Sequence, residues 1–274
     1  MEKNITAAEK AAYQQDGYLI KRGLFSQAEI GVLYGLATDD TVTGHSMDLT
    51  DTEGRATKLT LWFTPGDDSF GLMSRSERLV NAVRMLLGPE GEVCHFHSKV
   101  MQKEPQTGGA WEWHQDYGYW YKNGFLYSEA MISVMVALTE ATVENGCLQV
   151  LAGTHKMQRF EHSFVGEQQG ADHPFVEEAS KRSELVYVTL QPGDVLFFHS
   201  NLLHRSDANR SDKPRWSIIS AYNLSYNVPF REKHLSCITP IKVVPDEALL
   251  ESGVQKLSEA DFLAKEQEIT LNVQ

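Results

Sequence analysis

The sequence predicts a mainly β domain with peripheral α-helices, and three observations predict it. Amphipathic helical segments dominate residues 1–91. Beyond residue 92 the texture changes to short runs rich in Val, Ile, Phe, Tyr and Trp, separated by Gly, Asn and Asp. That alternation of strand-formers and turn-formers is the mark of a two-sheet β structure. The chain has 274 residues, 42% hydrophobic and 23% charged, which suits one globular domain and excludes disorder over most of its length.

The elements follow in order. Residues 6–16 read as a helix, because Thr6 with Glu9 forms a capping box and Gly17 supplies a stop. Tyr18-Leu19-Ile20 reads as a short strand. Ser26 with Glu29 opens a second helix running to about Leu36. Residues 39–56 carry no apolar period and read as a mobile surface loop. In 74–88 the apolar residues Leu79, Val80, Val83, Leu86 and Leu87 make a helical stripe ending at Gly88-Pro89. Candidate strands then cover 92–102, 110–116, 131–138, 148–151, 186–190, 195–199, 215–224 and 236–243. The β core thus spans 92–243, interrupted by a polar insertion at 156–182. Such an insertion is more often a lid or binding loop than core. The tail, 244–274, is acidic and mildly helical.

Charge and cysteine content narrow the function. There are 25 Lys and Arg against 37 Asp and Glu, a net charge of −12. No basic run is present, which argues against a nucleic-acid partner. Three cysteines without a CxxC are not a disulfide framework and point to a reducing cytoplasm. The polar start of the chain predicts no signal peptide, and no apolar run is long enough for a membrane span. No GxSxG, P-loop or dinucleotide fingerprint occurs. Oligomeric state, monomer or homodimer, is not legible.

The segment WEWHQDYGYW, 111–120, carries the chemistry. If 110–116 is a strand, His114 and Asp116 project from the same face. An imidazole and a carboxylate side by side supply two ligands of a 2-His-1-carboxylate metal site, which needs a further His from a neighbouring strand. A second segment, 193–223, contains a Gly193-Asp194 turn, an apolar strand, His204 after a bend, and Arg215 with Ser217. Arg215 and Ser217 are two apart, hence on one face, and a guanidinium with a hydroxyl suits a terminal carboxylate.

These residues, with others, resemble the phytanoyl-CoA dioxygenase family of Fe(II)/2-oxoglutarate oxygenases. Tyr13-x-x-Asp16-Gly17-Tyr18-Leu19 with Gly23-Leu24-Phe25 is similar to the family's opening. Glu144-Asn145-Gly146-Cys147-Leu148 with Gly153-Thr154-His155-Lys156 is similar to its NGxLxVxPGSH-type signature, with Ala152 in place of the proline. The resemblance runs from about residue 8 to 243. It implies a double-stranded β-helix (jelly-roll, cupin-like) core. It implies His114, Asp116 and His204 as catalytic iron ligands. Arg215, eleven residues beyond His204, falls at the family's 2-oxoglutarate-binding arginine. Ser206 and Ser217 are candidate assistants, Lys99 and Gln102 candidate further co-substrate contacts.

The implied reaction uses Fe(II), 2-oxoglutarate and O2, with ascorbate supportive in vitro. It hydroxylates a small organic substrate and releases succinate and CO2. Retention of Asp116, where Ala or Gly would open a halide position, implies hydroxylation over halogenation. Desaturation, epoxidation and ring closure stay open, as does a jelly roll that binds without turnover. An acyl-CoA substrate would need cations for its phosphates, for which Lys103, Lys122 and Arg159 are the candidates. Tyr117, Tyr119, Trp120 and His97 are candidates for the substrate pocket, though an aromatic cluster also fills cores. His95, His199 and His155 read as structural, and His45, His162, His173 and His234 as facing solvent.

Overall fold

The computed structural model describes residues 4–165, 167–231, 238–258 and 262. Its helices are α1 (Ala7–Asp16), α2 (Gln27–Ala37), α3 (Asp40–Thr43), α4 (Ser69–Ser74), α5 (Glu77–Leu87), α6 (Asp116–Trp120), α7 (His173–Ser180) and α8 (Ala248–Ser252). The first strands are β1 (Tyr18–Lys21), β2 (Met47–Thr50), β3 (Ala56–Trp62), β4 (Val93–Lys103), β5 (Trp111–His114), β6 (Met131–Ala137) and β7 (Leu148–Leu151). The rest are β8 (His162–Val165), β9 (Gln168–Ala171), β10 (Leu185–Val188), β11 (Val195–His199), β12 (His204–Ser206), β13 (Arg215–Leu224) and β14 (Thr239–Pro240).

Both predicted capping boxes form, at Thr6 with Glu9 and at Ser26 with Glu29. Each fills backbone donors that a helix start leaves unpaired, a contribution of about 1 kcal/mol. Gly17 ends α1 with φ 81°, the left-handed conformation that only glycine adopts without strain.

The larger sheet has the order β1-β11-β6-β13-β4-β3-β2, with β14 also on β4. The smaller sheet has the order β10-β7-β12-β5. The two face one another as a jelly roll, and the alternation of residues along β6 shows how. Ile132, Val134 and Val136 point outward and pack with Leu33, Leu36, Val80 and Val83 of α2 and α5. Met135 and Ala137 point inward and meet Leu148, Val150 and Val188 of the smaller sheet. Both faces of β6 are therefore covered, which is why the strand is apolar at every position but Ser133.

Two expectations are corrected. Residues 39–56 are not an irregular loop: they hold α3, β2 and the start of β3, and β2 extends the larger sheet. The missed signal is the alternation in Met47-Asp48-Leu49-Thr50, too short to register as a period. The strand predicted over 110–116 ends at His114, and Asp116 is the first residue of α6. The insertion 156–182 contains the β8–β9 hairpin and α7. Of the strand predicted over 236–243, residues 236 and 237 lie outside the described residues, and the remainder contributes β14.

Candidate active site

Two paired strands bring the metal-type ligands together. His204 of β12 lies directly opposite His114 of β5, and a register shift follows before Ser206. The two imidazole centroids are 4.0 Å apart. Asp116 Oδ1 lies 3.8 Å from Nε2 of each histidine. One ligand atom from each of the three falls within 4.8 Å of the others, a spacing that could hold one metal ion.

The donor chemistry fits a divalent transition metal. His114 Nδ1 donates to Glu112 O at 2.7 Å, and His204 Nδ1 donates to Leu202 O at 2.9 Å. Carbonyls only accept, so both Nδ1 atoms carry the proton and both Nε2 lone pairs are free to ligate. Burial, with each other's proximity for His114, holds both imidazoles below the usual histidine range. Burial works against the Asp116 carboxylate, but the Lys99 charge and the Ser133 hydroxyl favour its ionised form, and its pKa lies below the usual carboxylate range. Two neutral imidazoles and one carboxylate suit non-haem Fe(II).

A glycine secures Asp116. Tyr117 N donates to Ser200 O at 2.8 Å, and Gln115 N donates to His162 Nε2 at 2.9 Å, fixing the turn into α6. The His162 ring lies against Gly118, where any Cβ would collide with it. His162 is therefore buried and neutral, its affinity for protons lowered by burial to about 4. This corrects its expected solvent exposure. His45 is likewise half-buried, stacked on Phe262 at 4.5 Å.

Beside the ligands lies a basic chamber bordered by Lys99, Met101, Leu148, Ser206, Arg215 and Ile219. Arg215 is 4% exposed, and its guanidinium approaches Met135 Sδ at 4.0 Å. No carboxylate among the described residues pairs with it. Burial lowers its pKa to about 10. Ser217 Oγ, on the same face of β13, is buried without a hydrogen-bond partner. A guanidinium without a counter-ion and an orphan hydroxyl fit an incoming carboxylate.

Lys103, expected at the mouth as a candidate for substrate phosphates, is instead a further buried cation beside Arg215. It pairs in register with Arg215, is fully buried, and donates to Ser206 Oγ at 2.8 Å and Asp207 O at 2.6 Å. Burial, then Arg215, pushes its ammonium well below the usual lysine range. Its position excludes contact with substrate phosphates at the mouth. Gln102 is corrected: it points to the other face of β4 and approaches Ser46, away from the ligands. A period of two separates it from Lys99 and Lys103.

A larger cavity of about 160 Å³ opens on the other side of the ligands. His97, Lys99, Tyr119 and Trp120 line it with His114 and Asp116. Trp111, Phe63 and Phe96 complete an aromatic wall, and Leu49 and Leu59 come from the segment expected to be a loop. Glu167, Gln168 and Gln169 of the 156–182 insertion also line the cavity. Lys99 borders both chambers. Tyr117 is corrected: its hydroxyl donates to Phe125 O at 3.2 Å, and its ring packs behind the wall with Phe96 and Trp120. His95 and His199 are structural, bonded to Phe63 O and Asn201 N.

Comparison with known proteins gives a consistent result. The family model for phytanoyl-CoA dioxygenase (PhyH) matches residues 13–217. The ectoine dioxygenase of Bordetella parapertussis is 25% identical over 238 residues, covering 81% of this chain and 77% of the relative. The crystal structure of EctD from S. alaskensis in its apoform aligns with TM-score 0.72 at 26% identity, covering 88% of each chain. The same enzyme with 2-oxoglutarate and 5-hydroxyectoine aligns with TM-score 0.71 at 25% identity, again over 88% of each chain.

Proposed function

The chain belongs to the phytanoyl-CoA dioxygenase family and is an Fe(II)/2-oxoglutarate-dependent dioxygenase; from that premise we propose how its own residues serve the reaction. His114, Asp116 and His204 would hold the iron, and the basic chamber would hold 2-oxoglutarate. The observation that carries this reading is Arg215, a buried cation without a counter-ion beside three convergent ligand atoms. Bound there, Fe(II) would couple O2 activation and decarboxylation of 2-oxoglutarate, giving succinate and CO2, to insertion of oxygen into a substrate C–H bond.

The protein's own tasks are positional. Arg215, aided by Ser206 and Ser217, takes the distal carboxylate of 2-oxoglutarate. Lys103 holds the Ser206 hydroxyl and adds positive charge. Lys99, between the chambers, is placed for a further co-substrate contact. The imidazoles are oriented by backbone carbonyls and so cannot rotate away from the ion. Trp111, Trp120, Phe63 and Phe96 keep water from the reacting C–H bond.

The cavity favours a compact polar substrate of the amino-acid or cyclic amino-acid-derived type over an acyl-CoA. Lys103 is buried, Arg159 is held over Tyr121 and by Glu161, and Lys122 is bonded to His162 O. Among the described residues, Lys99 and Lys122 are the cations that line this cavity, and no cluster is set aside for phosphates. Ectoine, the substrate named for the relatives, is of suitable size. We read the chain as one oxygenase domain at work in a reducing cytoplasm, in accord with the buried free thiols of Cys94 and Cys147. No described helix is long and apolar enough to cross a membrane.

The test is a substrate screen read by 2-oxoglutarate consumption and product mass. A product heavier by one oxygen, formed with matching succinate, is expected. A product lighter by two hydrogens would redirect the outcome to desaturation or ring closure. No succinate with any substrate, and no anaerobic absorption band on mixing Fe(II) and 2-oxoglutarate, would leave a binding protein.

A further inference from the structure

We propose that Ser133 is a positioning residue that restricts Asp116 to ligation through a single oxygen; the inference rests on the metal-site reading above. Ser133 sits in the middle of β6, whose sequence Met131-Ile132-Ser133-Val134-Met135-Val136-Ala137 is otherwise wholly apolar. It belongs to the inward-facing set with Met135 and Ala137, so its hydroxyl enters the space between the sheets. A lone hydroxyl there would cost stability unless it is paired. Its partner is Asp116: Ser133 Oγ donates to Asp116 Oδ2 at 2.6 Å, both side chains being buried.

The two carboxylate oxygens therefore have separate duties. Oδ2 is engaged by Ser133, while Oδ1 is the atom equidistant from the two Nε2 atoms. The backbone of Asp116 is fixed by Tyr117 N on Ser200 O and by His162 on Gln115 N, but neither bond controls rotation of the carboxylate. Among the described residues, the Ser133 hydroxyl is the hydrogen-bond partner that does. Without it, both oxygens are free to turn toward the ion. A second oxygen on the metal would occupy a position that 2-oxoglutarate or O2 requires. Ser133 thus guards the number of open positions as well as the direction of one ligand.

The probes are Co(II) and Mn(II), added to the metal-free full chain. Wild type is expected to bind one Co(II) with a saturable visible absorption that D116A abolishes. Failure of that control would remove the metal-site reading itself and with it this inference. Serine to alanine, S133A, should weaken Co(II) binding about 10- to 100-fold, the usual effect of losing a bond to a metal ligand. Thermal stability should change little by comparison.

S133T keeps a hydroxyl and S133V has the same shape without one. S133T should bind at least tenfold more tightly than S133V, which separates the hydroxyl from packing. In the Mn(II) form, water-proton relaxation should fall by about a third in S133A, as one of three open octahedral positions is filled by the freed oxygen. Equal Co(II) affinity in S133T and S133V, or relaxation unchanged in S133A, would overturn the proposal.

Discussion

Replacing Arg215 by methionine should trade co-substrate affinity for stability, and both magnitudes follow from its surroundings. The guanidinium is buried, and burial lowers its pKa from 12.5 to about 10. At about 1.4 kcal/mol per tenfold change, keeping the charge inside costs the empty protein on the order of 3 kcal/mol. It contacts a thioether, Met135 Sδ at 4.0 Å, so the charge recovers little from its neighbours. Methionine fills a similar volume without that cost. R215M should therefore unfold at higher temperature than wild type in the absence of ligands.

The 2-oxoglutarate complex should respond in the opposite direction. Removing one partner of a buried, hydrogen-bonded charge pair costs about 3–5 kcal/mol. The Kd for 2-oxoglutarate should rise roughly 100- to 1000-fold or more, while the Fe(II) requirement changes far less. Anaerobic titration of the metal-loaded protein and a calorimetric scan of the empty protein measure the two effects. A 2-oxoglutarate Kd within about fivefold of wild type, or an equal loss of Fe(II) affinity, would refute the assignment of Arg215.

Four more outcomes are expected. H114A or D116A should abolish turnover while leaving near-native circular dichroism, and unchanged turnover in either would exclude that ligand. G118A should push the His162 ring off its seat and disturb the turn holding Asp116, weakening Co(II) binding about 10- to 100-fold; wild-type affinity would show that His162 does not position the ligand. K103M should raise the Kd for 2-oxoglutarate about tenfold through loss of charge and of the Ser206 contact, read in the same titration. The fourth concerns pH. Burial lowers His95 and His162 to about 4, and His97 and His199 to about 3. The unfolded chain takes up protons below about 6.5 and the folded chain does not. Stability is therefore present above pH 6.5 and is lost as pH falls toward 4, by about 1.4 kcal/mol per pH unit for each fully buried ring. Urea unfolding of the metal-free protein at pH 7 and pH 5 checks this, and equal stability would contradict it.

The parts of the site legible in the sequence are those set by short-range periodicity. The capping boxes, the apolar strands and the Arg215–Ser217 pair depend on spacings of two to four residues. Lys99 could have been separated from Gln102 by the same parity, since three residues apart on a strand means opposite faces. Asp116 was brought beside His114 by the helical turn of α6, where parity no longer holds. Tyr117 turned inward for the same reason. His162 and Lys103 were hidden because their places are set by partners far away in the chain: Gln115 with Gly118, and Ser206 with Asp207. Ser133 was marked only by being a lone hydroxyl in an apolar strand.

The pairing of His114 with His204 across β5 and β12 bears on how the enzyme comes to life after synthesis. The 89 residues between them must find their places before these imidazoles meet, so the unfolded polypeptide does not offer iron the assembled three-ligand seat. Once in place, the ion ties two strands of the smaller sheet together, and iron starvation should make that sheet the first part of the enzyme to loosen.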